Sequence, residues 1–389
     1  MTAPVERRAV LATGAAIVAL STAGCLGSRD SDGSEGVETV ATGLSRPWSL
    51  TFLPDDPRLI VTERSGQLVL VDRERGDVET VPGAPDVHAA GQGGLLDAAL
   101  HPKFPDEPWL YLTYAVRNDD GASTTALGRG RLDLTEPRLA EFEPLFAAEP
   151  FVDSTQHYGS RVVFGPEGMV YVTVGDRGFK DFGPDHVSQD RSTELGATIR
   201  LTPEGSIPDD NPFVNDAGVR ETIFSYGHRN AQGMVIHPDT GALWQSEHGE
   251  RDGDEINVVE RGGNHGWPIA HYGCEYGSDE PVGDLPHERD DVVPPVHYWE
   301  CGSGGFPPAG MTVYDGDAFS EWRGDLLVGN LAGQYLGRFI VDDTGLEEAD
   351  PIVADRGWRI RDVEVAPDTG HVYVAVDDED APIVRIEPA

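Results

Sequence analysis

Lysine is nearly missing from this 389-residue chain: only Lys103 and Lys180 occur, so the 29 basic residues are almost all arginine. Against them stand 68 aspartates and glutamates, for a formal net charge of −39. A surface of that sign repels nucleic acid and anionic lipid headgroups, which excludes both as electrostatic partners. Acidic excess with so little lysine suits concentrated salt, where screening removes most of the self-repulsion. A halophilic source is expected.

Cysteine is scarce as well. Cys25, Cys274 and Cys301 are the three in the chain, and none has the paired-ligand spacing of a zinc site. Aromatic residues make up only 8%, although the length is ample for a core. The apolar run at residues 9–20 is short for a bilayer span; Arg7 and Arg8 precede it and STAGC (21–25) follows it. The pattern reads as a twin-arginine signal over residues 1–25 ending in a lipobox, with Cys25 the acylated first residue of the mature protein. Residues 26–36, rich in Ser, Gly and Asp, read as a flexible tether, and 37–389 as the folded domain. The expected location is the outer face of the cell membrane, with the lipid as the sole membrane contact. Cys274 and Cys301 then remain as an even pair in an oxidising compartment, which favours a disulfide over two free buried thiols.

What the chain does have is turn residues, with Gly 47 and Pro 29, and short apolar runs. One unit recurs: an apolar strand, a Pro/Asp/Gly turn, and a second apolar strand. It stands at residues 50–63 (LTFLPDDPRLIVTE), 98–114, 161–176 (RVVFGPEGMVYVTVGD), 234–247 (MVIHPDTGALWQSE), 311–330 and 363–377 (VEVAPDTGHVYVAVD). The turns place Gly where a tight reversal needs positive φ. A lone hairpin cannot bury both faces, so six units predict an all-β, six-bladed propeller of four-stranded antiparallel blades. Segments 66–72 and 382–386 follow the first and last units as outer strands. The intervals between units lengthen to about 75 residues in mid-chain, more than four strands need, so the surplus forms loops where a site is built.

Polar residues crowd into those loops. QHYGSR (156–161) enters the third unit, whose second strand ends at Gly175 and Asp176, so His157 and Asp176 stand on opposite lips of one hairpin, as a base and its orienting acid would, or His157 is simply a surface loop histidine. SYGHRNAQ (225–232) offers Arg229 with the amides of Asn230 and Gln232, a set suited to a planar ligand with carboxylates and carbonyls, or alternatively an inter-blade ion pair at Arg229. EHGERDGDE (247–255), then GGNHGWP (262–268), supplies oxygen ligands in a glycine-punctuated loop, as Ca²⁺ prefers, or simply a solvated acidic loop. In Arg359-Ile360-Arg361-Asp362, alternation puts both arginines on one face, to hold a polyanion or to answer nearby carboxylates.

These clusters, in this order and on the same end of their hairpins, resemble the soluble glucose/aldose sugar dehydrogenase family (glucose/sorbosone dehydrogenase-like), which uses pyrroloquinoline quinone. The resemblance runs from residue 44 to the C-terminus, through GQGGLLDAALHPKF (91–104), 156–178, GSIPDDNPF (205–213), SYGHRNAQG (225–233), 247–268 and 359–362. Together with the acidity it points to a haloarchaeal member. The resemblance implies oxidation of an aldose C1 hydroxyl to the lactone, with His157 as general base and Asp176 its acidic neighbour. It implies cofactor contacts at Gln92, Arg229, Asn230, Arg359 and Arg361, and a catalytic Ca²⁺ on the backbone carbonyls of Gly249 and Glu250, with Arg229 and Ca²⁺ stabilising developing charge. Asp254 and Glu255 would belong to a second calcium site. Electrons would leave to a separate acceptor. The family usually has Pro at Glu250, and its glucose-oxidising members have a lysine at Ala332 and, in a second calcium site, a tyrosine at His265; loss of the lysine predicts weakened quinone binding. A non-catalytic ligand-binding propeller and a calcium-dependent lactonase are the competing readings.

Overall fold

The computed structural model describes residues 35–342 and 345–389. Six four-stranded antiparallel sheets succeed one another along the chain, and the only helices among the described residues are three single 3-10 turns. The first strand of each blade is Pro47–Phe52, Leu95–Leu100, Val162–Phe164, Ala231–Ile236, Pro308–Val313 or Ile360–Val365. Each contacts the first strands of two neighbouring blades, so the six close a ring around a channel. All six recurring hairpins are the first and second strands of successive blades, and 66–72 and 382–386 overlap the third strands Leu68–Asp72 and Ala381–Pro388.

The strands read as near-continuous apolar runs because each sheet is covered on both faces. Val170–Val174 (VYVTV) and Val372–Val376 (VYVAV) are buried at every position. Hydrophobic clusters straddle neighbouring blades, as where Ile60 and Leu70 of the first pack with Leu95 and Leu112 of the second. The ring is closed by Glu35–Leu44, the outermost strand of the last blade, which pairs antiparallel with Ala381–Pro388 (Val37 opposite Ile386). That strand begins at Glu35, so the last two residues of the 26–36 tether segment are already paired, Glu35 with Pro388 and Gly36 with Glu387. The signal and Cys25 lie outside the described residues.

At the channel axis the core turns polar. The buried guanidinium of Arg161 bridges Asp97 of the second blade (3.2 Å) and Asp362 of the sixth (2.8 Å). Its Nε donates to the Gln232 carbonyl of the fourth blade at 2.6 Å, and it lies 4.3 Å from the ring centre of Trp48 of the first. Asp97 in turn accepts from the Val162 amide (2.8 Å) and Asp362 from the Leu50 amide (2.8 Å). Burial pushes the Asp97 carboxyl up to about 6 despite the arginine.

Removing one partner from a buried ion network strands the others without water. Arg161→Met should therefore lower unfolding stability by about 3–5 kcal/mol at pH 8. The loss should shrink at pH 5, where Asp97 takes a proton; urea titration followed by tryptophan fluorescence measures both, and equal losses at the two pH values would contradict the account.

Candidate active site

His157 enters the site on a segment of left-handed backbone: φ is 46° at His157, 64° at Gly159 and 84° at Ser160. Non-glycine residues adopt that conformation rarely, and the surrounding structure must impose it. Here the chain is pressed against the end of the neighbouring strand. A Cβ on Gly175 would lie 2.2 Å from the His157 carbonyl oxygen, so only glycine allows the approach. The next residue, Asp176, places Oδ1 2.6 Å from His157 Nδ1, while the His157 amide donates to Gln92 Oε1 at 2.7 Å.

Asp176 is fully buried and well supplied with donors, the Gly178 amide at 2.8 Å and Trp267 Nε1 at 2.9 Å. Burial alone would raise its carboxyl, but the hydrogen bond and charge of His157, with Arg229, hold it below the ordinary carboxylate value. Burial lowers the His157 imidazole; the Asp176 hydrogen bond opposes this, Arg229 and Lys180 reinforce it, and the net shift is downward from 6.5. At neutral pH an ionised Asp176 thus accepts from Nδ1–H. Nε2, left unprotonated, makes no hydrogen bond among the described residues and His157 lines the cleft.

The cleft has a volume of about 740 Å³ and gathers Arg46, Arg64, Lys180, Arg229, Arg251, Arg359 and Arg361 against four acids, Glu250, Asp252, Asp254 and Asp377. A quarter of the chain's basic residues thus face one opening of a protein with net charge −39. Arg229 pairs with Glu250 at 2.8 Å, which Lys180 Nζ also grips at 2.5 Å, and its Nη1 reaches the His248 carbonyl at 3.3 Å. Arg361 meets Asp377 at 2.7 Å and Gln232 Oε1 at 2.8 Å, and Arg359 meets Asp377 at 3.6 Å. Arg359 and Arg361 do answer a neighbouring carboxylate, while Arg229 pairs with an acid of its own blade rather than across a blade boundary, yet positive charge remains in excess. Arg229 Nε and Arg361 Nε are buried without a protein partner. Asn230 uses its side-chain oxygen on the Gly159 amide at 3.1 Å, linking the two motifs directly.

In the 247–255 loop the Gly249 amide donates to Asp254 Oδ1 (2.9 Å) and the Phe306 amide to Oδ2 (2.8 Å). Burial pushes the Asp254 carboxyl up to about 7. The carbonyls of Gly249 and Glu250 accept no backbone hydrogen bond among the described residues. Asp254 and Glu255 have separate partners: Glu255 lies beside Asn257 (3.4 Å), with Oε1 unpartnered and its carboxyl well above the ordinary value through burial and the charge of Glu247. His265 stacks on His228 at 4.6 Å, its Nε2 unpartnered. Among the described residues no group of three or more His, Cys, Asp or Glu side chains is arranged to hold a metal.

Cys274 and Cys301, 27 residues apart with Cα atoms separated by 5.5 Å, are disulfide-bonded in the insert beside this loop. Sequence reasoning did not single out Arg46, Trp48, Arg64, Tyr276 or Asp377 as lining residues. A signal existed: Arg64, Asp176, His248, Leu331 and Asp377 each stand at or just past the end of a second strand, on one rim.

The chain matches the glucose/sorbosone dehydrogenase family over residues 44–385. It is 36% identical over 356 residues to an aldose sugar dehydrogenase of Escherichia coli (strain K12), covering 90% of this chain and 92% of that protein. The crystal structure of the soluble aldose sugar dehydrogenase from Escherichia coli in the apo form superposes with a TM-score of 0.85, at 36% identity, over 92% of this chain and all of that one. A PQQ-bound aldose sugar dehydrogenase from Streptomyces coelicolor superposes with a TM-score of 0.73 at 27% identity, over 91% and 98% of the two chains.

Gly175→Ala should push the His157 carbonyl away and break the 2.6 Å contact with Asp176. Imidazole ¹⁵N–¹H spectra of the two proteins test this: the downfield Nδ1–H of wild type should vanish in the variant. Its persistence would show that the approach tolerates a methyl group.

Proposed function

This chain belongs to the glucose/sorbosone dehydrogenase family, and we propose that its cleft oxidises the C1 hydroxyl of an aldose to the lactone, with pyrroloquinoline quinone and Ca²⁺ as cofactors. One observation carries the reading: an oriented imidazole whose Nε2 is free, on the wall of a strongly cationic cleft in an acidic protein. A site for binding alone has no need of such a base, and the lactonase reading would require carboxylates and amides converging on a metal.

The residues present fit an anionic quinone. Arg359 and Arg361 would hold its carboxylates, while Arg229 with the amides of Gln92 and Asn230 would meet its carbonyls. The unpaired carbonyls of Gly249 and Glu250 would serve Ca²⁺ as backbone ligands whatever the Glu250 side chain. Asp254 and Glu255 remain our candidates for a second calcium. Glu250 already neutralises part of Arg229, and Ala332 lines the cleft where a lysine would have added a cation. Binding is accordingly weakened, not lost.

When bound, the quinone supplies the acceptor for the C1 hydride, and the electrons pass later to a separate acceptor. The protein handles the proton. Nε2 of His157 takes it from the C1 hydroxyl, and Asp176, already ionised, stabilises the imidazolium that results. The buried Trp267 and Gly178 donors keep Asp176 from rotating away. We further propose export and lipid anchoring through Cys25, in a halophilic organism, where high salt screens the acidic exterior more than the partly buried cleft.

His157→Ala should lower dye-linked sugar oxidation by at least about 10²-fold, the usual scale of a lost general base, in protein that remains folded by circular dichroism. Activity within a few fold of wild type would remove it from that role. Because the His157 shift is downward, kcat/KM should rise with pH through an apparent pKa below 6.5 and stay level above it. A limb centred above 6.5 would assign the step to another group.

Titrating the protein with the quinone in high salt, followed by tryptophan quenching, should saturate below about millimolar, tighten with Ca²⁺ and loosen on chelation. No saturable quenching in folded protein would favour the non-catalytic propeller.

A further inference from the structure

The cleft's charged walls suit an anionic cofactor, but a neutral sugar needs something else to lie on. Of the cleft's two Tyr, Trp and Phe side chains, Trp48 is buried and lies 4.3 Å beneath Arg161. The other is Tyr276. It is 66% exposed, against 45% for the next most exposed large hydrophobic side chain among the described residues, Val78. A ring so exposed, at the mouth of a site, is kept for a ligand that will cover it.

Its backbone is not loose. Residues 274–281 form a small hairpin in which Cys274 bridges to both Arg251 and Pro281, and the Glu275 amide accepts no freedom either, donating to the Glu280 carbonyl at 3.0 Å. The Cys274–Cys301 disulfide pins one end. Arg251 pins the tip, through the Ser278 carbonyl at 2.7 Å and Asp279 at 2.6 Å. The arm is thus fastened to the same 247–255 loop that carries Glu250, and Lys180 Nζ stands 5.4 Å from the Tyr276 ring centre. A platform held in place before its ligand arrives loses little entropy on binding.

Resting on the sugar-oxidation reading above, we propose that Tyr276 is the stacking platform for the aldopyranose substrate and sets its affinity. A pyranose presents a face of C–H groups, and the electron-rich face of a phenol ring receives such positively polarised hydrogens. Lys180, whose Nζ stands over the ring at 5.4 Å from its centre, donates to a hydroxyl of the sugar that lies against it. Among the described residues the cation over the Tyr276 ring is Lys180, not one of the arginines assigned to the quinone, so quinone binding should not depend on this ring.

The test is steady-state kinetics of quinone-loaded protein with D-glucose, together with the quinone titration. Tyr276→Ala should raise KM about tenfold while kcat changes less than about twofold and the quinone Kd stays as in wild type. Tyr276→Phe and Tyr276→Trp, which keep a ring, should restore KM to within about twofold. An unchanged KM in Tyr276→Ala overturns the proposal, as does a KM rise that neither aromatic replacement rescues. A wild-type protein that binds quinone yet oxidises neither glucose nor any of a panel of aldoses would overturn the sugar-oxidation reading itself, a result separate from any effect of Tyr276.

Discussion

The guanidinium of Arg161 sits where five of the six blades meet. It bonds to side chains of the second and sixth, to the backbone of the fourth, and stacks on a ring of the first, while its own strand belongs to the third. A propeller channel is otherwise a hole lined by strand edges, and a hole must be filled or bridged. Filling it with a cation shared between two carboxylates makes the angular position of each blade depend on the others, because no member of the network can move without stranding a buried charge. The site inherits that rigidity. The Gln232 carbonyl bonds Arg161 and its side chain bonds Arg361, so this cleft-lining arginine is positioned from the channel axis outward.

Charge is distributed in two opposing ways. The exterior is acidic, its carboxylates far outnumbering the arginines that pair with them, and salt would screen their mutual repulsion. The cleft concentrates cations whose pairing acids, Glu250 and Asp377, have side chains almost wholly covered, so salt screens them less. Concentrated salt can therefore quiet the surface while leaving the cleft's attraction for an anion largely in place. Glu250 moderates that attraction. By gripping both Arg229 and Lys180 it holds two cations in position before a ligand comes, and an incoming anion must share Arg229 with it.

The geometry of the His157–Asp176 pair comes from local backbone strain held by global packing. His157 adopts left-handed φ because its loop is wedged between Gly175 and the Asn230 side chain, residues of two different blades' hairpins. Asp176 is oriented by Trp267, from a third stretch of chain. Pairwise proximity of a histidine and an acid was foreseeable; the burial that lowers the imidazole, and against which His157 and Arg229 hold Asp176 ionised, is set by the surrounding chain.

The six hairpins were legible in the sequence because each is local: a turn with Gly at its tip and two apolar strands read the same wherever they occur. So were the clusters holding His157, Asp176, Arg229, Asn230, Arg359 and Arg361, since repetition puts the ends of equivalent strands on one rim. What only the tertiary structure decided involves contacts across long separations. The pairing of Val37 with Ile386, Lys180 with Glu250, and the turn of Tyr276 into the cleft each depend on where independent blades and inserts meet in space. Sequence periodicity carries a strand's own face and register, but the partner across a blade boundary is set by ring closure, and ring closure is a property of all six blades at once.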